Sequence, residues 1–452
     1  MAGAIEGSVG RDGQEDTEVS PDVTDGRRVH VVDARRTPFL RSGTALKKQT
    51  AYDLGRMAIA GLLHKTAIDP ETIERVAMGT VVADPDTSNV AREAALAAGI
   101  PADCPAFTVT AACISANIAF QEMAYAIATG AIDIAVAGGT ETLSDVPIRV
   151  SRPVRERLIA GQKARGIGDW LGLLKGLSLK DLAPAVPAIA DFSTGLTMGQ
   201  NAERLAKRLG ISRHDQDEYA MLSHHRAARA TQEGLLADQI LPARVPRGFE
   251  PIVEDNGIRG DTSMEKLAKL KPAFDRRFGT ITAGNSSYLT DGASAVLLAS
   301  DEGLRKTGAR PLASVVSQAL AGMDPLDELL LGPVFAIPQA LDRAGLTLDQ
   351  IDVVELHEAF AGQVLAVLRL MEDEQFARQR LGRDRPVGTI DMGKLNAWGG
   401  SLSVGHPFGA TGGRLVANCC RRLEREDGQF GLIAACASGA LGYAMVLERG
   451  AR

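Results

Sequence analysis

Two cysteines and two histidines, each set among small residues, are the groups in this chain best suited to chemistry. Cys113 lies in the run Phe107-Thr-Val-Thr-Ala-Ala-Cys113-Ile-Ser-Ala-Asn, where a β-branched segment gives way to a helical pattern. That puts the thiol near a helix N-terminus, where unpaired backbone N–H groups favour a thiolate. His357 stands in His-Glu-Ala-Phe, His406 in Gly-His-Pro, and a second thiol, Cys436, in Ala-Ala-Cys-Ala-Ser-Gly. A neutral thiol is a poor nucleophile and needs a base and a positive local field. The set therefore suggests acyl transfer through an enzyme thioester. His214, His224 and His225 fall on a polar helical stretch and read as surface.

The elements that must position these groups alternate between strand and helix. A strand begins at Val29, an apolar helical face follows over 51–64, and 73–82 reads as a second strand. Residues 91–98 read as helix, the Cys113 unit comes next, and 133–139 reads as a buried strand, the signature of an α/β layered domain. Over 149–278 the chain turns charged, proline-punctuated and mostly helical, as an insertion would. Strand signals return over 279–287 and again over 293–299. A second α/β unit starts near Pro311, and Ile351-Asp-Val-Val-Glu-Leu parallels Ile73-Glu-Arg-Val-Ala-Met. The turn at His406, a helix over 412–423 and a strand over 430–435 echo the Cys113 unit. In a pattern-level repeat of this kind, Cys113 and His406 hold corresponding positions and can meet across a pseudo-twofold axis.

Composition narrows the function. The 452 residues suffice for two or three packed units, and 45% hydrophobic content supports large cores. Aromatics at 4%, with 48 glycines, suit close-packed layers and offer no stacking surface for bases. A net charge of -6 without a long basic block speaks against nucleic acid as a partner. Five cysteines, an odd number in a long chain, argue against a disulfide framework, and Cys419-Cys420 reads as core packing. No Cys-x-x-Cys pair exists, so no metal is expected, and a free reactive thiol fits the reducing cytoplasm. Residues 1–28 read as a disordered tail without an apolar signal-peptide core. No run of about 18 apolar residues occurs, so no transmembrane helix is expected.

Taken in order, Ala111-Ala-Cys113-Ile-Ser, Leu270-Lys-Pro-Ala-Phe, Ala283-Gly-Asn-Ser-Ser, His357-Glu-Ala-Phe-Ala-Gly-Gln, Trp398-Gly-Gly-Ser-Leu-Ser-Val-Gly-His406-Pro-Phe-Gly-Ala-Thr-Gly and Ala434-Ala-Cys436 resemble the thiolase family. Among thiolases the chain is most similar to the trifunctional-enzyme β-subunit type of 3-ketoacyl-CoA thiolase. The resemblance runs from about Val29 to the C-terminus. It implies an α/β thiolase fold: two similar α/β domains in a five-layer αβαβα core, with an inserted loop domain. The expected division is 29–148 with 279–303 for the N-terminal domain, 149–278 for the loop domain and 304–452 for the C-terminal domain. Many thiolases carry Asn where this chain has His357, a substitution that also occurs in the β-subunit group. Many relatives follow the second cysteine with a glycine-rich run. Here Ala440 and Leu441 add side chains that are expected to narrow the pocket or alter substrate preference.

The resemblance also implies the chemistry. Cys113 attacks the 3-keto carbon, acetyl-CoA leaves as an enolate, and coenzyme A takes the shortened acyl group from the thioester. Coenzyme A is thus a substrate, and no cofactor is bound permanently. His406 is the expected base and Cys436 the expected acid toward the enolate. The backbone N–H groups of Cys113 and Ser438 are expected to form one oxyanion hole, and His406 with a water held by His357 the other. Met198 and Ser287 are expected beside the bound thioester. The alternative activity is acetoacetyl-CoA formation by an acetyltransferase with the same residues. A homodimer is implied, with a hydratase/dehydrogenase α-subunit completing a heterotetramer. The segment 149–180 mixes Arg149, Arg152, Arg155, Arg157, Lys163 and Arg165 with apolar groups, a composition suited to peripheral contact with an anionic membrane.

Overall fold

The computed structural model describes residues 26–163, 165–184, 190–246, 248 and 250–450. In chain order the strands are β1 (His30–Arg36), β2 (Leu40–Arg41), β3 (Arg75–Gly79), β4 (Ala106–Val109), β5 (Ile134–Glu141), β6 (Ala243–Arg244), β7 (Pro251–Ile252), β8 (Thr290–Ala299), β9 (Ala313–Gly322), β10 (Val353–Leu356), β11 (Phe430–Ala437) and β12 (Leu441–Arg449). The helices are α1 (Ala51–Thr66), α2 (Val90–Ala97), α3 (Ser115–Ala128), α4 (Arg152–Gly161), α5 (Ile167–Leu174), α6 (Met198–Arg208), α7 (Arg213–Gln232), α8 (Met264–Ala268), α9 (Asp301–Thr307), α10 (Gly332–Ala344), α11 (Ala361–Met371), α12 (Glu374–Arg380), α13 (Ser401–Val404) and α14 (Thr411–Arg425). Local signals set many of the boundaries. Thr50 and Asp53 form a capping box at the start of α1, and Thr197 and Gln200 form another at α6.

The strands run in the order β10-β11-β12-β9-β1-β8-β5-β3-β4. The junction between the halves is short: β1 meets β9 through His30 with Ser314 and Val31 with Ala313. On either side the topology repeats. β3 and β5 are parallel, as are β10 and β11, and each pair continues into antiparallel neighbours, β8 and β12. Even the edge repeats: β4 pairs in parallel with β3, and Leu395 makes a parallel bridge to Val354 of β10.

Alternation along the strands builds three cores and therefore five layers. Ala295 and Leu297 of β8 face α1 and α2, whereas Val296 and Leu298 face inward. Leu432 and Ala434 of β11 face α10 and α11, whereas Ile433 and Ala435 face inward. The inward faces of both halves enclose α3 and α14, whose Phe120, Met123, Leu415, Cys419 and Cys420 are buried there. The Cys419-Cys420 pair is thus core packing.

Several expectations change. Residues 279–289 form an irregular loop in place of a strand. Their backbone is taken up by side chains: Glu203 accepts the N–H groups of Thr280 and Ile281, and Asn285 accepts that of Thr282. Such local bonds compete with a sheet ladder. His224 is buried, with burial pushing its pKa down to about 4, because its face of α7 packs inward; His214 and His225 are exposed. Of the expected tail, residues 1–25 lie outside the described residues, and Arg27 is anchored by its N–H to Ala128 O and its guanidinium to Asp133. No described helix is long and apolar enough to cross a membrane.

Candidate active site

Cys113 sits in a tight turn between β4 and α3. Ala112 adopts a left-handed φ of 47°, which turns the chain sharply ahead of the thiol. The Ser115 hydroxyl locks the turn, accepting the Ala111 N–H at 2.9 Å and donating to Ala112 O at 2.7 Å. His406 stands in the matching place before α14. Gly405, at φ 108°, makes the approach, and a Cβ there would lie 2.6 Å from Thr290 Oγ1. That same hydroxyl receives the His406 N–H at 3.1 Å. His357 follows β10 and is fixed by its N–H to Ala434 O, 2.8 Å away on β11. Cys436 lies near the end of β11, with its side chain turned to the core that α10 and α11 cover.

The fold gathers all four groups. The Cys113 sulfur and the ligating nitrogens of His357 and His406 lie within 4.8 Å of one another, and the two rings stand 4.1 Å apart between centroids. Cys436 is close enough for negative charge on Cys113 to raise its pKa. Among the described residues, that sulfur and those two imidazoles are also the cluster that a metal ion could ligate. Bound there, an ion would block the proton exchange that the contact allows.

Burial sets the resting charge state. It pushes the Cys113 thiol up to about 12, with the backbone N–H groups of Ser438 and of Cys113 itself working in the opposite direction. Burial likewise takes His406 down to about 3, and the buried Arg414 guanidinium adds to the effect. His357 is driven well below its ordinary range by burial, then by His406 and Arg414. The helix terminus therefore does not yield a thiolate, as the sequence suggested, because desolvation outweighs the dipole. The site rests as a neutral thiol beside two neutral imidazoles. The Ser438 and Cys113 N–H groups that converge on the sulfur are oriented donors of the kind an oxyanion hole requires.

The imidazoles are held from behind. His406 Nδ1 lies 2.6 Å from Thr411 Oγ1, and His357 Nδ1 lies 2.9 Å from Ser401 Oγ. The Nε2 atoms of both rings are buried without a protein partner. Glu141, pushed up to about 7 by burial, accepts N–H groups from Val81, Val82 and Gly409, which ties the His406 loop to the end of β3. Its neighbour in the strand, Gly139, lets that loop close in, since a Cβ would meet Gly409 O at 1.8 Å. Glu358 accepts from Tyr219, Ser223, Asn396 and the Leu402 N–H, joining the inserted α7 to both histidine loops.

The Ser287 N–H donates to Ala359 O at 3.0 Å, so its loop lies against the His357 loop. Met198, half-buried, packs on the apolar cluster that contains Cys436. Ala440 is buried in the outer C-terminal core that also holds Cys436, and Leu441 rests on the central one. Sequence reasoning missed Ser401, Thr411, Arg414 and Glu141. Ser401 and Thr411 stand in the run around His406, and a signal for them was present: hydroxyls flanking an imidazole.

Residues 29–302 match the family model described as "Thiolase, N-terminal domain", and residues 309–449 match "Thiolase, C-terminal domain". The chain is 50% identical to "Trifunctional enzyme subunit beta, mitochondrial" of Homo sapiens, over 93% of this chain and 88% of that protein. It is 44% identical to "3-ketoacyl-CoA thiolase" of Yersinia pestis (strain Pestoides F), over 94% of this chain and 97% of that protein. The crystal structure of human mitochondrial 3-ketoacyl-CoA thiolase matches with a TM-score of 0.80 at 33% identity, covering 94% of this chain and 99% of that one. That of the Bacillus anthracis acetyl-CoA acetyltransferase gives 0.80 at 31% identity, covering 94% and 99%.

A neutral Cys113 has a measurable consequence. In the free protein, alkylation of Cys113 by iodoacetamide should still climb by about tenfold per pH unit at pH 9, because only the thiolate reacts. A plateau below pH 8 would mean that the thiolate already exists at rest.

Proposed function

The chain belongs to the thiolase family, and on that premise we propose that it cleaves 3-ketoacyl-CoA with coenzyme A, giving acetyl-CoA and a shortened acyl-CoA in fatty-acid β-oxidation. The observation that carries this is the meeting of the Cys113 sulfur with the two imidazoles, with Cys436 beside them. The identities of 50% and 44% to a trifunctional-enzyme β-subunit and a 3-ketoacyl-CoA thiolase favour β-oxidation over acetoacetyl-CoA formation.

The resting pair of neutral groups dictates the order of events. His406 Nε2 takes the Cys113 proton as the sulfur attacks the 3-keto carbon, so charge develops only when a carbonyl is there to receive it. The Cys113 and Ser438 N–H groups receive the resulting oxyanion. When the C2–C3 bond breaks, the acyl group remains on Cys113, and the electron pair leaves as the acetyl-CoA enolate. Its thioester oxygen is held by the second donor set, protonated His406 and a water bound by His357. Cys436 gives its proton to the enolate carbon, completing acetyl-CoA. Coenzyme A then loses its thiol proton to the site and attacks the acyl thioester, restoring both cysteines. The net proton passes from coenzyme A to the methyl of acetyl-CoA. Loss of one oxyanion donor is expected to cost about 2.7–4 kcal/mol of barrier. Met198 and Ser287 are assigned to the walls around the bound thioester.

The assembly and setting form part of the same reading. β4 ends the sheet order, and its Phe107 is 37% exposed, an edge that a second copy can cover to form a homodimer. A hydratase/dehydrogenase α-subunit would complete a heterotetramer, a proposal supported by the relationship to a protein named as a subunit. Free cysteines throughout the described residues support a cytoplasmic, reducing setting. Over 149–180, Ile167 is 81% and Leu179 is 88% exposed among the arginines and lysines, which supports peripheral membrane contact.

Incubation with 3-ketoacyl-CoA followed by mass spectrometry should trap an acyl adduct on Cys113 that is absent from Cys113→Ala; an adduct elsewhere would refute the assignment. Light scattering of the purified protein should return twice the chain mass, and a monomer would remove the edge-strand dimer. Full-length protein should float with anionic liposomes and lose that association when 149–180 is deleted, whereas unchanged flotation would end the membrane proposal.

A further inference from the structure

His357 and His406 present the same atom, Nε2, to the pocket, yet the reaction asks opposite things of them. His406 must accept a proton there, whereas His357 must hold a water against the thioester oxygen. Counting protons behind each ring decides which tautomer it holds. Thr411 has one hydroxyl proton and gives it to Pro407 O at 3.0 Å. Its oxygen therefore receives the proton of His406 Nδ1, 2.6 Å away, and His406 Nε2 keeps a free lone pair.

Behind His357 the sense is reversed. Ser401 Oγ receives an N–H from Arg414 Nη2 at 3.1 Å, and a guanidinium can only donate. The Ser401 proton then goes to His357 Nδ1, 2.9 Å away, leaving the ring proton on Nε2. The opposite tautomer would aim two donors at Ser401 and strand its hydroxyl proton in a fully buried place. Arg414 is itself buried and stands 3.9 Å from Glu355, which Arg422 and Asn418 hold in turn. The charge on Arg414 also disfavours a second proton on either imidazole.

We propose that Ser401 and Arg414 are positioning residues that fix His357 as the Nε2–H tautomer, a hydrogen-bond donor into the thioester pocket, while Thr411 fixes His406 as the opposite tautomer, an acceptor. The proposal rests on the acyl-transfer reading for its consequence, though not for its geometry. It also explains what a histidine at 357 requires. An amide side chain there would donate through an N–H that needs no setting, whereas an imidazole donates only if its tautomer is chosen for it.

The test uses the full-length, substrate-free protein with ¹⁵N-labelled histidine, the His357 signals being assigned by their loss in His357→Asn. The protein should show His357 protonated at Nε2 and His406 protonated at Nδ1. Ser401→Ala should move the His357 proton to Nδ1 or mix the tautomers, and Ser401→Thr, which keeps the hydroxyl, should restore the original pattern. In turnover, Ser401→Ala should lower kcat by about 10- to 100-fold with KM little changed, as expected for weakening one donor to developing charge. In the His357→Asn background the same substitution should change kcat by less than about twofold, because the pair acts as one unit. His357 protonated at Nδ1 in the unaltered protein, an unmoved tautomer in Ser401→Ala, or equal losses in both backgrounds would overturn the proposal. The unaltered protein's spectrum decides even if Ser401→Ala fails to fold. A correct tautomer in a protein without acyl-transfer activity would refute the functional reading alone.

Discussion

The site depends on how closely two buried helices cross. α3 and α14 share the central layer, and Gly412, in the first turn of α14, lies directly against Asn117 of α3. A Cβ at 412 would stand 2.5 Å from Asn117 Oδ1 and 2.8 Å from its backbone nitrogen. Any larger residue would wedge the helices apart at the ends where the catalytic groups sit, because the turn that holds Cys113 leads into α3 and the loop that holds His406 leads into α14. Close packing makes such a wedge costly throughout the interior, where little room exists to relax. Gly139 against Gly409 is a second close approach of the same kind, between β5 and the His406 loop. Glycine here serves to bring backbone to backbone so that side chains from distant parts of the chain can touch.

Burial in that central layer also governs reactivity. Arg36, Arg414 and Arg422 are fully buried, and each has a carboxylate nearby: Asp255, Glu355 and, for Arg422, also Glu426. Pairing and hydrogen bonds make such burial tolerable, since an isolated charge would be driven out or neutralised. Cys113, His357 and His406 have no such partner and rest neutral. The proton therefore moves when substrate supplies an electrophile and the oxyanion donors gain something to bind. A thiol held in this way is also shielded from adventitious oxidation, which proceeds through the thiolate.

Much of this was legible in the chain. Alternating apolar runs gave β3, β5, β8 and β11 to within a few residues, and the parallel between 73–78 and 351–356 anticipated the repeated sheet topology. The catalytic cysteines and histidines could be read because small residues crowd them, a sign of close backbone approach. What could not be read depends on tertiary environment. The loop over 279–289 carries strand-forming residues, but Glu203, far away on α6, takes up its N–H groups. His224 looks polar by its neighbours and is buried because that face of α7 turns inward. The charge state of Cys113 follows from desolvation on folding, which outweighs the lowering that the local backbone N–H groups supply.

The two halves share a topology and differ in what they place at the same point. Each brings a turn and the start of a central helix to the shared axis, one with a thiol and the other with an imidazole. The strands that follow those helices, β5 and β11, likewise carry different groups near their ends: Glu141, which braces the His406 loop, and Cys436, which lies close enough to Cys113 to feel its charge. A symmetric site would hold two nucleophiles or two bases and could not divide attack from proton transfer. The fold thus supplies a repeated frame, and the asymmetry of a few side chains turns that frame into a directional reaction path. The inserted segment reinforces the asymmetry, because α6 and α7 leave the first half and pack on the core of the second, where Tyr219 and Ser223 of α7 hold Glu358 beside His357. Positioning of the second histidine therefore depends on a segment encoded within the other half, and neither half alone contains the means to build the pocket.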